Sequence, residues 1–243
     1  MSRWRKRARL AIAVALALMT LGCRKAPPAA QPSGPPAAWS LAPDPSSAEF
    51  EPEIVGFEAL DRDRPPPRGA TLFVGSSSFR LWTTLGQDFA PHAVINRGFG
   101  GSTLRNIIDF GRRIVLPYAP ARIVLFAGSN DIHAGASAAT VFEDFKRFVA
   151  GVHEALPATR IAFVSITTSR SRFAEVETVR DANRRIQTFV AGDPRLAYID
   201  VFSAMVDAEG KPRPELYLDD RLHPSRVAYE QWIARIEPFL REP

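Results

Sequence analysis

The sequence predicts a doubly wound α/β sandwich, in which a parallel sheet lies between two layers of helices. Short apolar runs recur along the chain, and most are continuous rather than alternating, which is typical of strands buried on both faces of a parallel sheet. Segments with helical spacing lie between these runs, so strand and helix alternate five times. The expected strands are residues 71–74, 93–96, 122–127, 160–166 and 196–201.

Helical spacing is clearest over residues 141–156, where apolar side chains recur three or four positions apart and charged ones lie on the other side. Further helices are expected over 103–115, 176–190 and 225–240. Ligands of such sheets bind beyond the carboxyl ends of the strands. The segments expected on that rim are the loops 75–78, 97–102, 128–133 and 167–173, together with the segment after the last strand.

The N-terminus has the composition of a signal peptide, which we assign to residues 1–22. Five of its first nine residues are basic, and the apolar run at 10–21 is shorter than the roughly 20 residues that a membrane-spanning helix needs. Cys23 follows directly and is the only cysteine in 243 residues. The stretch TLGC resembles a bacterial lipobox, although Thr20 stands where leucine is usual, and this resemblance implies lipid attachment at Cys23. The alternatives are an incidental cysteine or an ordinary signal peptide cleaved near Ala29.

Residues 23–47 are expected to link this lipid anchor to a single domain at residues 48–243. The stretch 26–47 is rich in Pro, Ala and Ser without apolar periodicity, the composition of a semi-rigid linker rather than a packed element. Arg24 and Lys25, rather than an aspartate, follow the cysteine, which favours the outer membrane. The expected location is therefore the bacterial cell envelope, with the domain facing the periplasm.

The charge balance argues against nucleic acid as a partner. The net charge of +5 equals the five basic residues at the N-terminus, so the rest of the chain sums to zero, and no basic stripe with interleaved aromatic residues appears. A metal site is not expected, because the predicted rim lacks a His, Asp and Glu cluster with ligand spacing. A single cysteine cannot form a disulfide within the chain, so the fold depends on its core alone.

Four polar segments stand out at the predicted rim. Each is a weak signal alone, because glycine after a strand usually forms a turn and serine at a helix start usually caps the helix. The glycine-rich loop is not a dinucleotide fingerprint, since Thr103 stands where the third glycine belongs. The segments are residues 75–78 (GSSS), 96–102 (NRGFGGS), 128–131 (GSND) and 219–224 (DDRLHP).

Taken together and in this order, these segments resemble the SGNH (GDSL-type) hydrolases, which are serine esterases and lipases. The resemblance covers most of residues 70–240 and extends to phrases such as VINRGFGGS and DRLHPS. It implies a flavodoxin-like three-layer α/β/α sandwich with a five-stranded parallel sheet and no cofactor. Gly75-x-Ser77 occupies the family's Gly-Asp-Ser position, so Ser77 is the implied nucleophile. The chain departs from the family pattern at Ser76, where aspartate is usual.

Asp220 and His223 match the family's terminal Asp-x-x-His, and their chemistry suits a base and its supporting acid. A serine hydroxyl is a poor nucleophile until a base takes its proton, and imidazole can do so near neutral pH. An acid three residues before the histidine can reach its other ring nitrogen and stabilise the imidazolium. His133 is the rival base on the predicted rim, and Asp219 is the alternative acid.

Gly101 and Asn130 match the family's oxyanion glycine and asparagine. A tetrahedral oxyanion needs preorganised donors, and the backbone N–H groups of Ser77 and Gly101 with the Asn130 side-chain amide would supply three. Gly101 has no side chain, so its backbone can approach the substrate closely. The alternative for Asn130 is an amide that braces its loop, and Asp131 is expected to brace its own turn.

The sequence therefore predicts a membrane-tethered serine hydrolase that cleaves an ester of a lipid, glycan or small-molecule alcohol through an acyl-enzyme. The alternatives are an acyltransferase with the same triad and a non-catalytic lipoprotein that binds a glycan or lipid on an inherited fold. Loops 167–173 and 207–215 are expected to shape the choice of alcohol. Arg170 and Arg172 could meet an anionic group, although solvated surface arginines are the simpler interpretation.

Overall fold

The computed structural model describes residues 36–242 and confirms the predicted fold class. Five strands form one parallel sheet: β1 (Thr71–Gly75), β2 (Val94–Gly98), β3 (Arg122–Phe126), β4 (Arg160–Val164) and β5 (Leu196–Ile199). Their order across the sheet is β2-β1-β3-β4-β5, which is the flavodoxin-like order. The chain reverses direction across the sheet between β2 and β3, so the carboxyl ends of β1 and β3 form the crevice where ligands of this fold bind.

Helices connect successive strands and cover both faces of the sheet. The α-helices are α1 (Glu51–Asp63), α2 (Ser77–Arg80), α3 (Leu85–Asp88), α4 (Leu104–Ile114), α5 (Ser129–His133), α6 (Ala138–Ala155), α7 (Val176–Val190), α8 (Phe202–Met205) and α9 (Arg226–Arg241). Short 3₁₀ helices lie at Ala37–Trp39, Pro45–Phe50, Leu116–Tyr118, Arg170–Glu175 and Pro214–Leu216.

The sheet separates two hydrophobic cores. Alternate residues of a strand point to opposite faces, so Leu72 and Val74 of β1 pack with α1, α4, α6 and α7, whereas Phe73 packs on the other side with α9. The second core is rich in aromatic rings, and Trp82 stacks on Tyr229 of α9 with ring centroids 4.4 Å apart. Every residue of β1 is buried, which explains why its sequence is continuously apolar.

Part of the expected linker is packed against the domain. Trp39 is only 6% exposed, stacks on Phe148 of α6 with ring centroids 6.0 Å apart, and donates its indole N–H to the Arg147 carbonyl. The indole lies against the backbone of Gly111 and Gly151, where a Cβ would clash with it. This part of the expected linker is therefore held on the domain, because one tryptophan buries enough apolar surface to fix a Pro- and Ala-rich segment.

Polar contacts hold the same segment further along. The backbone N–H of Asp44 and the hydroxyl of Ser47 both donate to the Asp109 carboxylate of α4, each at 2.7 Å. The signal peptide predicted at residues 1–22, the lipidation predicted at Cys23 and the linker as far as residue 35 lie outside the described residues and stay predictions. No helix within residues 36–242 is long and apolar enough to cross a membrane.

Candidate active site

Ser77 stands at the carboxyl end of β1, where the strand turns into α2. A Cβ at Gly75 would lie 2.2 Å from the carbonyl oxygen of Phe126 in β3, so only glycine fits where these strands end. The Ser76 N–H donates to that carbonyl at 3.1 Å, and the Ser76 carbonyl accepts the Phe79 N–H at 3.0 Å. Backbone hydrogen bonds therefore hold this turn, although Ser76 replaces the usual aspartate.

The structure brings the three residues of the predicted triad together. The His223 Nε2 atom lies 2.9 Å from Ser77 Oγ, and His223 Nδ1 lies 2.6 Å from Asp220 Oδ2. The other carboxylate oxygen of Asp220 accepts the backbone N–H groups of Leu222 and His223 at 2.9 and 3.0 Å. Both oxygens of Asp220 are thus fixed, and one of them faces the imidazole.

The environment of Asp220 sets the tautomer of His223. Burial opposes ionisation of this carboxyl, but hydrogen bonds from the His223 ring and from the His223 and Leu222 backbone outweigh it and lower the Asp220 pKa to about 2. An ionised carboxylate can only accept hydrogen bonds, so the Nδ1 atom that faces it carries a proton. In the neutral imidazole this leaves Nε2 as an acceptor for the Ser77 hydroxyl proton.

The loop that carries this pair is tied to the rest of the rim. The Leu218 N–H donates to the His223 carbonyl at 2.9 Å, and the Ser225 N–H donates to the Leu216 carbonyl at 2.9 Å. The buried Tyr217 hydroxyl donates to the Thr168 carbonyl in the loop after β4. These bonds hold the histidine loop between the rim and the start of α9.

The alternative base, His133, does not reach Ser77, and the alternative acid, Asp219, does not contact the His223 ring. His133 Nδ1 lies 2.7 Å from Glu175 Oε1, and the His133 side chain is 56% exposed. Asp219 is exposed, and within residues 36–242 the carboxylate that contacts the His223 ring is that of Asp220. Proximity in the fold thus favours the pair that the family pattern implied.

Two backbone N–H groups of the rim segments, those of Ser77 and Gly101, are free to bind a ligand. Among residues 36–242, neither the Ser77 N–H nor the Gly101 N–H has an intramolecular acceptor. Gly101 has a φ of 85°, a conformation that favours glycine. Ser77, Asn130 and His223 line one cavity of about 20 Å³, which we call the Ser77 cavity, whereas Gly101 and Asp220 are not part of its wall.

Arg172 fixes the orientation of the Asn130 amide. Its Nη1 atom donates to Asn130 Oδ1 at 3.0 Å and to Ser129 Oγ at 2.9 Å, while Asn130 Nδ2 donates to the Ser102 carbonyl at 3.0 Å. A guanidinium only donates and a carbonyl only accepts, so neither contact permits a flipped amide. One N–H of the Asn130 amide remains for another acceptor.

A solvated surface position was expected for Arg172, and this expectation is wrong. The side chain lines the Ser77 cavity, and burial lowers its pKa from the usual value. The sequence contained one signal for this placement, namely the position of Arg172 in a loop predicted to lie on the rim. The sequence of that loop, TTSRSRF, did not indicate which of its two arginines lines the cavity.

Asp131, in the rim segment 128–131, is buried and joins this segment to the start of α4. Its Oδ1 atom accepts the Leu104 N–H at the start of α4 at 2.9 Å, so it caps that helix as well as bracing its own turn. Its other oxygen has no hydrogen-bond partner among the described residues. Burial is the main cause that raises the Asp131 pKa to about 6.

Asp131→Asn is expected to gain stability relative to the wild type as the pH rises from about 4 to about 6. In this window the folded protein binds more protons than the unfolded chain, because the folded pKa lies above the usual value of 3.8, so wild-type stability falls. The full difference, up to about 3 kcal/mol, is expected above pH 6. Urea unfolding at several pH values measures it, and a difference that does not change with pH would contradict the prediction.

The described residues offer little to bind a metal ion. Within residues 36–242, no group of three or more His, Cys, Asp or Glu side chains is close enough to hold one.

A doubly wound sheet with a serine at the end of its first strand, in contact with a His-Asp pair, is an arrangement found in α/β ester hydrolases. Comparison with known proteins identifies the family. The model of the GDSL-like lipase/acylhydrolase family matches residues 68–231, which is more than half of the chain. The chain belongs to this family, and it is an ester hydrolase.

Individual relatives are more distant. The chain is 27% identical over 185 residues to platelet-activating factor acetylhydrolase IB subunit alpha1 of Bos taurus, an alignment that covers 71% of this chain and 74% of that protein. A GDSL-like lipase from Bacteroides thetaiotaomicron has a similar fold, with a TM-score of 0.68, 19% identity and coverage of 77% of this chain and 96% of that one. A variant of an acetyl-xylooligosaccharide esterase from Geobacillus has a TM-score of 0.57 and 13% identity, covering 73% and 96%.

Proposed function

We propose that the protein is a serine hydrolase that removes an acetyl or other short acyl group from an ester through an acyl-enzyme on Ser77. The observation that carries this proposal is the hydrogen-bonded line from Ser77 Oγ through His223 to Asp220, at 2.9 and 2.6 Å. Ser77 and the Asp220–His223 pair are far apart in the sequence, and the fold brings them together at the end of β1. The line gives a hydroxyl, a base to deprotonate it and an anion to stabilise that base.

The geometry supports a two-stage reaction. Ser77 Oγ attacks the ester carbonyl carbon while its proton passes to His223 Nε2, and the carbonyl oxygen becomes an oxyanion. The N–H groups of Ser77 and Gly101 and the free N–H of the Asn130 amide are the donors that we assign to this oxyanion. The tetrahedral intermediate collapses, the alcohol leaves with the proton from Nε2, and the acyl group stays on Ser77. Water activated by the same nitrogen then releases the acid.

The size of the Ser77 cavity supports a short acyl group. Its volume of about 20 Å³ is near the space that one water molecule needs, and a methyl group is of similar size. The names of two similar proteins, an acetylhydrolase subunit and an acetyl-xylooligosaccharide esterase, agree with an acetyl substrate. An apolar groove of about 210 Å³ lies nearby, between Leu81, Leu218 and Tyr229, and a longer acyl chain would need to use it.

A substrate panel with an active-site label tests this function. The purified protein is expected to hydrolyse 4-nitrophenyl acetate with a higher kcat/KM than 4-nitrophenyl octanoate, and to react with a fluorophosphonate at Ser77, as located by mass spectrometry. Preference for the octanoate would replace the short-acyl proposal by one that uses the apolar groove. No turnover and no labelling would favour the non-catalytic binder. Formation of a new ester when a second alcohol is added would favour the acyltransferase.

Arg172→Met is expected to lower kcat for the acetate ester by about tenfold with little change in KM. The reason is that Arg172 acts through Asn130, whose own replacement by alanine is expected to cost about 10²- to 10³-fold in kcat. Steady-state kinetics of Arg172→Met, Asn130→Ala and the double variant measure the coupling. The double variant should be no slower than Asn130→Ala, and Arg172→Lys should recover part of the loss. Independent, multiplicative effects would show that Arg172 does not act through the amide.

A further inference from the structure

The Ser77 cavity is too small for a whole ester, so the alcohol half of the substrate has to lie beyond it. A second cavity of about 430 Å³, a size typical of small-molecule sites, borders the same loop after β4. Its lining residues are Arg170, Phe173, Asp207, Lys211, Pro212 and Pro214. They belong to the two loops that were expected to shape the choice of alcohol.

One short helix stands between the two cavities. The 3₁₀ segment Arg170–Glu175 is kinked at Arg172, whose backbone is not helical. The residues around this kink divide between the cavities: Ser169 and Arg172 line the Ser77 cavity, whereas Arg170 and Phe173 line the second cavity. The helix is tied to the histidine loop, because the Ser171 N–H and hydroxyl both contact the Arg221 carbonyl. The two cavities therefore share this segment of chain as a wall.

The opposite wall of the second cavity is a turn held by its own hydrogen bonds. The Asp207 N–H donates to the Lys211 carbonyl at 2.8 Å, and the Lys211 N–H donates to Asp207 Oδ1 at 2.8 Å. The Glu209 N–H bonds the same carboxylate oxygen at 3.1 Å. The turn is thus fixed before any ligand binds, and the Asp207 carboxylate is engaged within it.

The charges of the second cavity do not balance internally. Within residues 36–242, neither the Arg170 guanidinium nor the Lys211 ammonium group has an ion-pair or hydrogen-bond partner. Phe173 adds an aromatic ring that is 37% exposed, and two prolines add a flat apolar surface. Two unpaired cations beside an aromatic wall are complementary to a ring that carries an anionic group.

We propose that the second cavity binds the alcohol half of the ester, and that this alcohol is a ring bearing a carboxylate or phosphate group. The inference rests on the proposed function, because it places this alcohol next to the acyl group on Ser77. Arg170 and Lys211 contact the anion, and Phe173 packs against the ring. Recognition of the alcohol thus takes place outside the small cavity that receives the acyl group.

A matched pair of esters tests this proposal, namely 4-acetoxybenzoate and its neutral methyl ester. We measure the ratio of their kcat/KM values, and compare that ratio between proteins so that the intrinsic reactivities of the two esters cancel. Arg170→Gln/Lys211→Gln is expected to lower the ratio about five- to tenfold relative to the wild type, and Arg170→Lys to retain most of it. High salt should lower the wild-type ratio in the same direction.

Arg112→Gln is the control, because Arg112 is exposed on α4 and lines neither cavity. It is expected to leave the ratio unchanged. If both esters are hydrolysed and the ratio of their kcat/KM values is the same in the wild type and in every variant, the inference is overturned and the proposed function stands.

Failure to hydrolyse either ester would count against the proposed function. Ligand binding to the second cavity tests the inference even in that case. By saturation-transfer NMR, 4-hydroxybenzoate or glucose 6-phosphate is expected to bind the Ser77→Ala protein and to lose this binding in a triple variant that also has Arg170→Gln and Lys211→Gln. The ligand that binds tells an aromatic acid from a sugar phosphate. Binding of neither, or binding that survives the two added substitutions, would overturn the inference.

Discussion

Ser77→Ala is expected to lower kcat for 4-nitrophenyl acetate by at least about 10⁴-fold and to abolish fluorophosphonate labelling. The substitution removes a single oxygen atom, the one that lies 2.9 Å from His223 Nε2. The base, its carboxylate partner and the backbone donors stay in place, so the loss reports on the nucleophile alone. Steady-state kinetics and intact-protein mass spectrometry measure the two effects.

The neighbouring serines provide matched controls for this experiment. Ser76 forms the turn through its backbone N–H and carbonyl, so Ser76→Ala should keep the label and most of the turnover. Ser78 is buried, and its carbonyl accepts the Tyr229 hydroxyl at 2.7 Å, a bond that Ser78→Ala leaves intact. Labelling that survives Ser77→Ala and disappears in Ser78→Ala would move the nucleophile by one residue. Thermal unfolding of each variant checks that the fold is unchanged.

Trp39→Ala is expected to lower the free energy of unfolding by about 3–5 kcal/mol. The side chain is 6% exposed and stacks on Phe148, and the glycines that surround it leave no other group to fill its place. The substitution therefore opens a cavity and frees the segment that the indole anchors. Urea denaturation measures the change, and an effect below about 1 kcal/mol would mean that residues 36–50 contribute little to stability.

Gly151→Ala tests the same contact from the opposite side. A Cβ at this position would lie 2.0 Å from the Trp39 indole nitrogen, so we expect the substitution to destabilise the wild type. In the Trp39→Ala background the obstruction is gone, and alanine is favoured over glycine inside a helix by about 1 kcal/mol. The sign of the effect should therefore reverse. Equal destabilisation in both backgrounds would show that the glycine serves another purpose.

The sequence predicted the sheet well because its strands are buried on both faces. Continuous apolar runs identified all five strands, with ends displaced by one or two residues from those of the structure, for instance at β4. The N-terminal segment was missed for the opposite reason. Its Pro- and Ala-rich composition carries no periodic signal, and the single residue that anchors it, Trp39, looks in sequence like an isolated aromatic in a linker.

The candidate site likewise contains residues that the sequence predicted and one residue, Arg172, whose position it did not predict. The family resemblance implied Ser77, His223 and Asp220 because the motifs that carry them are short and local, one at a strand end and one an Asp-x-x-His in a single loop. The role of Arg172 depends on contacts with Ser129 and Asn130, which lie over 40 residues earlier in the sequence. Long-range contacts of one side chain leave no local pattern, so only the folded structure reveals them.

The histidine and its carboxylate lie three residues apart and are held by hydrogen bonds within one short loop. The orientation of the imidazole is therefore a local property of that loop, independent of how the sheet is built. Assembly of the triad then depends on one long-range contact, between Nε2 and a hydroxyl 146 positions earlier. Such a loop carries base and acid as one unit, and its position on the rim is set by the bonds from Tyr217 to Thr168 and from Ser171 to Arg221.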